Sequence, residues 1–563
     1  IEYTDVQVGP PFRFVGCSRG ALGTEAAAHP AGAEVRGLLR QWGFFLVDPD
    51  SELAEQLTRN FCRIVNECDL DMVYFDASDG TLPPYLDRWY YLNRMHLGYY
   101  RQFDHDVLYQ TSMGTGSNLL WHIVPRSASA DGHGDLKGYL DQRWRGILAQ
   151  RDNFTRSDIG WYYMFSDVRP DQIEYVRAKA LGIDGSISIE ASRQSLESLP
   201  LARKTFEMLA RYERARLAGY PPEDLRQRLL EPGHDFKLFE TEDGFRLYRA
   251  EYQQPRRIDG LDGEVNVWRI TNDLEVPCEL GVEIVPGSRP VAFGEYNAPE
   301  AMTIESFDDP DAYVLGGENQ YEQYVVGTRK EISDTGPVME GVSQQFALSE
   351  ETKVGPGALR YSATSEAATP GWSGIGRRFD PPLDLADRAG IGLWVHGDGG
   401  YETLRVQLRD TQGRHADDLL TIDFAGWSLH TFALPEQDFD HSQVEYLLFY
   451  FNGIPRGASV SVILDDVRAL PEIATVTALQ TPIIVVNGER TGFPVRLEAG
   501  EALTCDGPGG ATVWPVGMAP GQPLGVSLEG LRLQPGENTV ALEAEQFPGG
   551  VNALLYRMWP LEE

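Results

Sequence analysis

Over roughly the first 195 residues, short apolar runs alternate with longer stretches in which apolar side chains recur every third or fourth position. The runs Phe12 to Gly16, Trp42 to Val47, Asp71 to Phe75, Val107 to Ser112, Leu119 to Val124, Ile159 to Met164 and Ile183 to Ile189 predict strands. Helices are predicted over Ser51 to Cys68, Pro84 to Arg101, Asp135 to Gln150 and Pro170 to Leu181, the first with Leu53, Leu57, Phe61, Ile64 and Val65 at helical spacing. Such alternation is the pattern of parallel βαβ units. The fold class expected is a (β/α)8-type barrel followed by all-β sandwich domains. Seven strands leave a barrel one short, so either Glu2 to Val8 supplies the eighth, or an N-terminal fragment or second chain completes it.

Leu196 to Leu230 is helical again, broken at Tyr220, Pro221 and Pro222. From Lys237 onward the texture changes to short alternating strands, with Asp243 and Gly244 as a hairpin turn and Asn272 and Asp273 as another. A polar linker around Ala298 to Pro310 precedes strand-like runs such as IGLWVHGDG, ETLRVQLRD, LLTIDFAGW, EYLLFYFNG and ASVSVILDDVRAL, separated by Gly and Asp turns, which suits a two-sheet sandwich. The expected division is 1–235, barrel region with its closing helices; 236–298, β-sheet appendix; 299–471, jelly-roll sandwich; and 472–563, C-terminal β-domain.

Charge narrows the partners. A formal net charge of -35 over 563 residues argues against nucleic acid and anionic membrane, because so acidic a surface repels phosphate. Lysine is confined to Lys137, Lys179, Lys204, Lys237, Lys330 and Lys353. The cysteines, Cys17, Cys62, Cys68, Cys278 and Cys505, form no CxxC pair and no Cys/His cluster, so neither a zinc site nor a disulfide framework is indicated. No stretch is long and apolar enough to span a bilayer. The sequence opens at Ile1 without a signal-like segment, which is the expectation for a processed form or a fragment.

Candidate chemistry gathers where predicted strands end. LDMVYFDASDG runs from an apolar strand straight into Asp76 and Asp79, with Tyr74 just before them, and the carboxyl edge of a barrel is where chemistry sits. Asp76 is otherwise a helix cap, since acids after strands often cap the next helix. Trp42 to Val47 likewise ends in Asp48 and Asp50, and GSISIEAS closes on Glu190. HIVPRSASADGHGD carries His122, Arg126, Ser127, Asp131 and His133. Arg19, Trp121, His122 and Trp161 end or follow strands and are candidates for hydroxyl contacts and ring stacking, with ordinary packing as the alternative. GTGSN is not a dinucleotide fingerprint and no phosphate-binding GxxxxGK[ST] loop occurs. No cofactor is implied. Asp131, His133 and Asp135 in a glycine loop are compatible with a structural calcium, although the EF-hand pattern is absent.

The stretch from about Glu305 to Leu470 resembles the galactose-binding-like jelly rolls, particularly family-11 carbohydrate-binding modules. The likeness rests on LWVHGDG, the FAGW turn at Phe424 to Trp427, and the closing ILDDVRAL. It implies either glycan binding or a structural spacer, and Trp372, Trp394, Trp427 and Tyr401 are then aromatics that either stack on sugar or fill the core. The first 195 or so residues resemble part of a (β/α)8 glycoside hydrolase of the α-galactosidase and α-glucosidase clan, through MVYFDASDG and the later Arg126-Ser127. The resemblance implies Asp76 as nucleophile and Asp131 as acid/base, with Glu190 as the rival carboxylate. Arg19, Asp48, Tyr74, Asp79, Trp121, His122, Arg126 and Trp161 are the accompanying substrate-binding candidates. A secreted or periplasmic glycoside hydrolase acting on a polysaccharide or its oligosaccharides is expected. The alternatives are a non-catalytic glycan binder or scaffold, and one half of a split enzyme.

Overall fold

The computed structural model describes residues 1–35, 40–41, 44–75, 87–111, 126–127, 131–132, 135–148, 158–164, 168–308, 340–473 and 476–561. The chain divides into two compact units, Ile1–Ser127 and Ala128–Glu563. In the first, β1 (Asp5–Gln7) pairs antiparallel with β2 (Arg13–Val15), and β3 (Arg40–Gln41) with β4 (Phe44–Phe45). The runs Phe12 to Gly16 and Trp42 to Val47 therefore contribute to hairpins rather than barrel strands. Connection length is the reason: only a few residues separate the arms, and a parallel return needs a crossover of about a dozen or more.

Parallel pairing begins after α1 (Glu52–Glu67), which opens on Ser51, whose Oγ accepts the Ala54 N–H at 3.3 Å. β5 (Met72–Phe75), α2 (Arg88–Tyr100), β6 (Leu108–Thr111) and β7 (Arg126–Ser127) come next, and β5–β6–β7 form a parallel sheet. Val65 packs against Val73 and Tyr109 in the core of this unit. The predicted apolar stripe of α1 is only partly used, since Leu53, Leu57 and Ile64 stay about half exposed. Leu119 to Val124 lies outside the described residues.

The second unit opens with β8 (Asp131–Gly132), α3 (Leu136–Leu148), β9 (Asp158–Tyr163), α4 (Pro170–Gly182) and β10 (Ser186–Glu190), the strands parallel in the order β10–β9–β8. Three helices close this part, α5 (Arg193–Ser198), α6 (Ala202–Leu217) and α7 (Glu223–Leu229). Among the described residues the parallel strands form two separate three-stranded sheets, a closed barrel is not shown, and strands predominate over helices.

Beyond α7 the chain is built mainly of strands. The first of them, β11 (Asp235–Thr241), β12 (Gly244–Tyr252), β13 (Arg256–Ile258), β14 (Val267–Asn272) and β15 (Cys278–Pro286), lead into a short helix, α8 (Phe293–Tyr296). The jelly roll is then built from β16 (Met302–Glu305), β17 (Val342–Ser349), β18 (Ala358–Ser365), β19 (Gly371–Leu383), β20 (Gly390–Asp398), β21 (Thr403–Asp410), β22 (His415–Thr421), β23 (Ala425–Ala433), β24 (Val444–Ile454) and β25 (Ser459–Leu470). Its sheet β17–β18–β25–β20–β23, with β16 on β25, packs on β19–β24–β21–β22 across one apolar core. The supposed linker at Ala298 to Pro310 thus holds a strand, and LLTIDFAGW is split between β22 and β23.

The chain then adds β26 (Leu479–Val486), β27 (Glu489–Gly492), β28 (Arg496–Leu497), β29 (Ala502–Cys505), β30 (Ala511–Trp514), β31 (Gln522–Leu524), β32 (Arg532–Leu533), β33 (Gly536–Gln546) and β34 (Val551–Pro560). These do not stand apart from β11–β15. One sheet runs β11–β12–β34–β15–β29–β30–β31 and a second runs β14–β33–β26–β27, so the stretches on either side of the jelly roll form one sandwich. The helices join the larger sheet through buried ion pairs: Lys137 with Asp171 at 2.8 Å and Asp235 at 2.7 Å, Lys237 with Glu174 at 2.9 Å, and Lys204 with Glu283 at 2.5 Å. Buried pairs of this kind fix geometry more than they add stability, because desolvation offsets most of the attraction.

Candidate functional site

The sheet β10–β9–β8 has two unlike faces. Ile159, Tyr162 and Met164 of β9 and the residue after it, with Ile187 and Ile189 of β10, pack into the apolar core with the helices. On the other face Asp158, fully buried, accepts the Ser186 hydroxyl at 3.0 Å and the Ser188 hydroxyl at 3.1 Å, while its second oxygen takes the Gly160 N–H at 3.0 Å. A bulge makes this possible: Ser186 is opposite Asp158 but Ser188 is opposite Trp161, so three residues of β9 answer two of β10, and Gly160 carries the required φ of 125°. By alternation, half-buried Trp161 and Tyr163 and exposed Glu190 share the face of Asp158. A parallel sheet covered on both sides is apolar on both. This one turns acid, hydroxyl and aromatic groups to one side.

The carboxyl ends of the three strands define an edge. Asp131 is in register with Trp161, and Glu190 is opposite Tyr163. Two strand spacings separate β8 from β10, about 10 Å. The backbones of Asp131 and Arg126 are thus placed, in β8 and β7, while their side chains, and all of Asp76, Asp79, Trp121 and His122, lie outside the described residues.

The remaining candidates have local partners. Arg19 donates to the Ala27 carbonyl, Tyr74 is half-buried on β5, and Asp48 accepts the Asp50 N–H at 3.0 Å in the turn before α1. Asp50, which the sequence placed only beside Asp48, accepts the Tyr91 hydroxyl at 2.6 Å and pairs with Arg94, and both hold its carboxyl below the usual range. Sequence reasoning missed Tyr91 and Arg94; their three-residue spacing on α2 was the available signal. Beneath β5 and β6, buried His96 hydrogen-bonds Tyr109, and burial drives its pKa down to about 4.

A second polar and aromatic surface lies on the outer face of β19–β24–β21–β22. Register gives its rows: Gly374, Tyr450, Arg405 and Leu419; then Gly376, Leu448, Gln407 and Asp417; then Arg378, Tyr446, Arg409 and His415. Trp372 packs beside buried Tyr446, Leu448 and Tyr450. A Cβ at Gly374 would stand 2.7 Å from the Tyr450 ring, so the ring needs bare backbone beneath it. Arg409 donates to Gln407 at 2.6 Å and to the Tyr450 hydroxyl at 2.8 Å, and Arg405 donates to Asp417 at 2.6 Å. Of the four jelly-roll aromatics picked out in the sequence, only Trp372 is here. Trp394 and Trp427 lie on the opposite sheet, in a cluster with Tyr296, and Tyr401 is exposed in a turn at φ 61°.

The glycine loop offers little to a metal in its described part. Asp135 accepts the Gly138 N–H at 3.1 Å at the start of α3, and among the described residues no three His, Cys, Asp or Glu come together to hold an ion.

No protein-family model matches the sequence, and no curated protein matches it. Solved structures are similar over about a quarter of the chain. One is the family 11 carbohydrate-binding module from Clostridium thermocellum in complex with a β-1,3-1,4-mixed-linked tetrasaccharide, at 16% identity over 24% of this chain and 85% of that one, with a TM-score of 0.20. An exo-β-agarase is 12% identical over 25% of both chains, TM-score 0.20, and the arabinose-bound MgGH51 α-L-arabinofuranosidase is 11% identical over 23% of both, TM-score 0.19.

Proposed function

We propose that this chain is a glycoside hydrolase of a (β/α)8 type, secreted or periplasmic, acting on a polysaccharide or its oligosaccharides. The observation that carries this is the polar face of β9 and β10, which ends in exposed Glu190 at the carboxyl edge of a parallel sheet. Cleaving a glycosidic bond takes one carboxyl group as proton donor and another as base or nucleophile. Asp131 opens β8 and, through Trp161, lies level with Ser188, so its backbone is two strands across and two residues short of Glu190 in one sheet. Trp161 and Tyr163 supply ring surface, and Ser186 and Ser188 are held by Asp158 rather than offered to solvent. The resemblance gives Asp76 as nucleophile and Asp131 as acid/base, with Glu190 the rival carboxylate, and Arg19, Asp48, Tyr74, Asp79, Trp121, His122 and Arg126 as substrate contacts.

Reducing-sugar release from a panel of plant, algal and bacterial polysaccharides tests this. Wild type is expected to release sugar while Glu190→Gln loses at least about a hundred-fold, with an unchanged circular dichroism spectrum; Asp76→Asn runs alongside. Full activity in Glu190→Gln removes that residue from the mechanism, and silence from wild type on every polymer removes the enzyme. The outer face of β19–β24–β21–β22 favours a second reading, non-catalytic glycan binding, in which Trp372 stacks on a sugar and Arg405, Asp417 and His415 meet its hydroxyls. Retarded migration in glycan-containing gels without hydrolysis would mark it.

A further inference from the structure

A cleft of about 350 Å³ opens at the edge of the jelly roll, between β22 and β23. Both chain crossings between the two sandwiches border it: Arg289 belongs to the incoming segment after β15, and Ile473 to the outgoing segment after β25. Its polar side is made by Arg289, Asp417 and Asp418, its apolar side by Phe432 and Ile473. Arg289 Nη1 donates to Asp418 at 2.8 Å and to the Leu419 carbonyl at 3.0 Å, and His430 approaches Asp418 at 3.2 Å from the facing sheet. The Thr431 hydroxyl accepts the Ala292 N–H at 3.1 Å and so ties the incoming segment to β23.

From this arrangement we infer that the cleft is a second saccharide site, next to the outer face around Trp372 with Asp417 on the border of both, and that it takes a neutral sugar ring. Charge decides the class. Asp418 is matched by Arg289, and Asp417 by Arg405, so neither an anion nor a metal ion finds an unmatched partner. The hydrogen-bonding capacity is not used up, because a guanidinium has five N–H donors and these contacts engage only Nη1 of Arg289. Carboxylate oxygens accept hydroxyls, the free guanidinium edge donates to ring or hydroxyl oxygens, and the C–H face of a pyranose fits the apolar wall. An occupant touches both crossings, so binding also stiffens the joint between the sandwiches. This inference rests on the glycan reading of the preceding subsection.

The test is isothermal titration of the full chain with neutral tetrasaccharides from mixed-linkage β-glucan, agarose and arabinan. Wild type is expected to bind two equivalents of at least one of them. Arg289→Ala should remove one equivalent or weaken it at least about ten-fold, and Trp372→Ala the other, each with an unchanged circular dichroism spectrum. Ser288→Trp, which fills the cleft from its rim, should reproduce Arg289→Ala if that variant folds poorly. A single equivalent abolished by Trp372→Ala alone overturns the cleft and leaves the glycan reading standing. Absence of binding by wild type to every saccharide overturns both, and two equivalents unaffected by Arg289→Ala and Ser288→Trp overturn the cleft.

Discussion

The jelly roll has two outer faces, both aromatic, and they behave oppositely. On β20 and β23, Trp394 is 5% exposed and lies edge-on to Tyr296 at 6.2 Å, in a cluster that includes residues of the segment leading in from the other sandwich. The polar groups there are satisfied from that segment and its neighbours: the Tyr296 hydroxyl donates to Asp466 at 2.7 Å, and Asp259 accepts the Ser428 hydroxyl at 3.1 Å and the Leu429 N–H at 2.8 Å. On β24 and β21 the Tyr450 hydroxyl finds Arg409 within the same sheet. Tyr446, Tyr450 and Arg409 are themselves 5%, 8% and 2% exposed, as buried as Trp394, so neither a count of aromatics nor burial separates the two faces. The described hydrogen-bond partners do, coming from the other sandwich at one face and from the same sheet at the other.

Truncating one tryptophan on each face is the strongest test of that contrast. Trp394→Ala is expected to cost about 3 kcal/mol or more in urea unfolding, as large-to-small changes in packed cores do, with saccharide binding lost only as the fold is lost. Trp372→Ala is expected to cost less than about 1 kcal/mol while weakening glycan retention about ten-fold. Equal stability losses would erase the distinction.

A smaller effect sharpens it through pH. Asp465, fully buried on β25 opposite Trp394, accepts the Lys353 and Val354 N–H groups, yet burial pushes its pKa up to about 6 from an ordinary 3.8. The folded state therefore holds the proton more tightly than the unfolded one. Its contribution is complete below about pH 4 and is lost as pH rises through about 6, up to about 3 kcal/mol. Asp465→Asn keeps an acceptor and removes the titration, so the variant should gain on wild type between about pH 4 and 7 in denaturant midpoints. A constant difference across that range would refute the assignment. Smallest of all is Arg378→Ala, which opens an exposed pair with Glu445; it should shift stability by less than about 0.5 kcal/mol and retention by roughly two- to three-fold.

Much of the local structure was legible in the residues. The helix read from Ser51 opens on that residue, the helical stretch after Leu196 is interrupted at Tyr220 to Pro222, and GSISIEAS ends on Glu190 at a strand edge. Hairpin and barrel strands, however, share one apolar pattern, so FRFVG did not reveal that its partner was antiparallel and only five residues away. In EYLLFYFNG the unbroken apolar run hid two buried faces, Leu447, Phe449 and Phe451 in the sandwich core and Tyr446, Leu448 and Tyr450 in a separate cluster with Trp372. Anchors such as Asp259 were illegible because their partners lie some 170 positions away. Of the catalytic candidates, Glu190 is the one whose side chain the structure describes, and sequence reasoning ranked it behind two acids carried by resemblance.

The pairing of β34 with β12 and β15 has a consequence for how the protein is made. Tyr248 meets Pro560 across more than three hundred residues, so on the ribosome β12 and β15 emerge long before the strand that lies between them. Until then each presents a row of unpaired amides and carbonyls, the template on which chains from neighbouring ribosomes join edge to edge. A message truncated before the codon for Val551 would leave that gap for good. Its product would be expected in inclusion bodies even with the jelly roll intact.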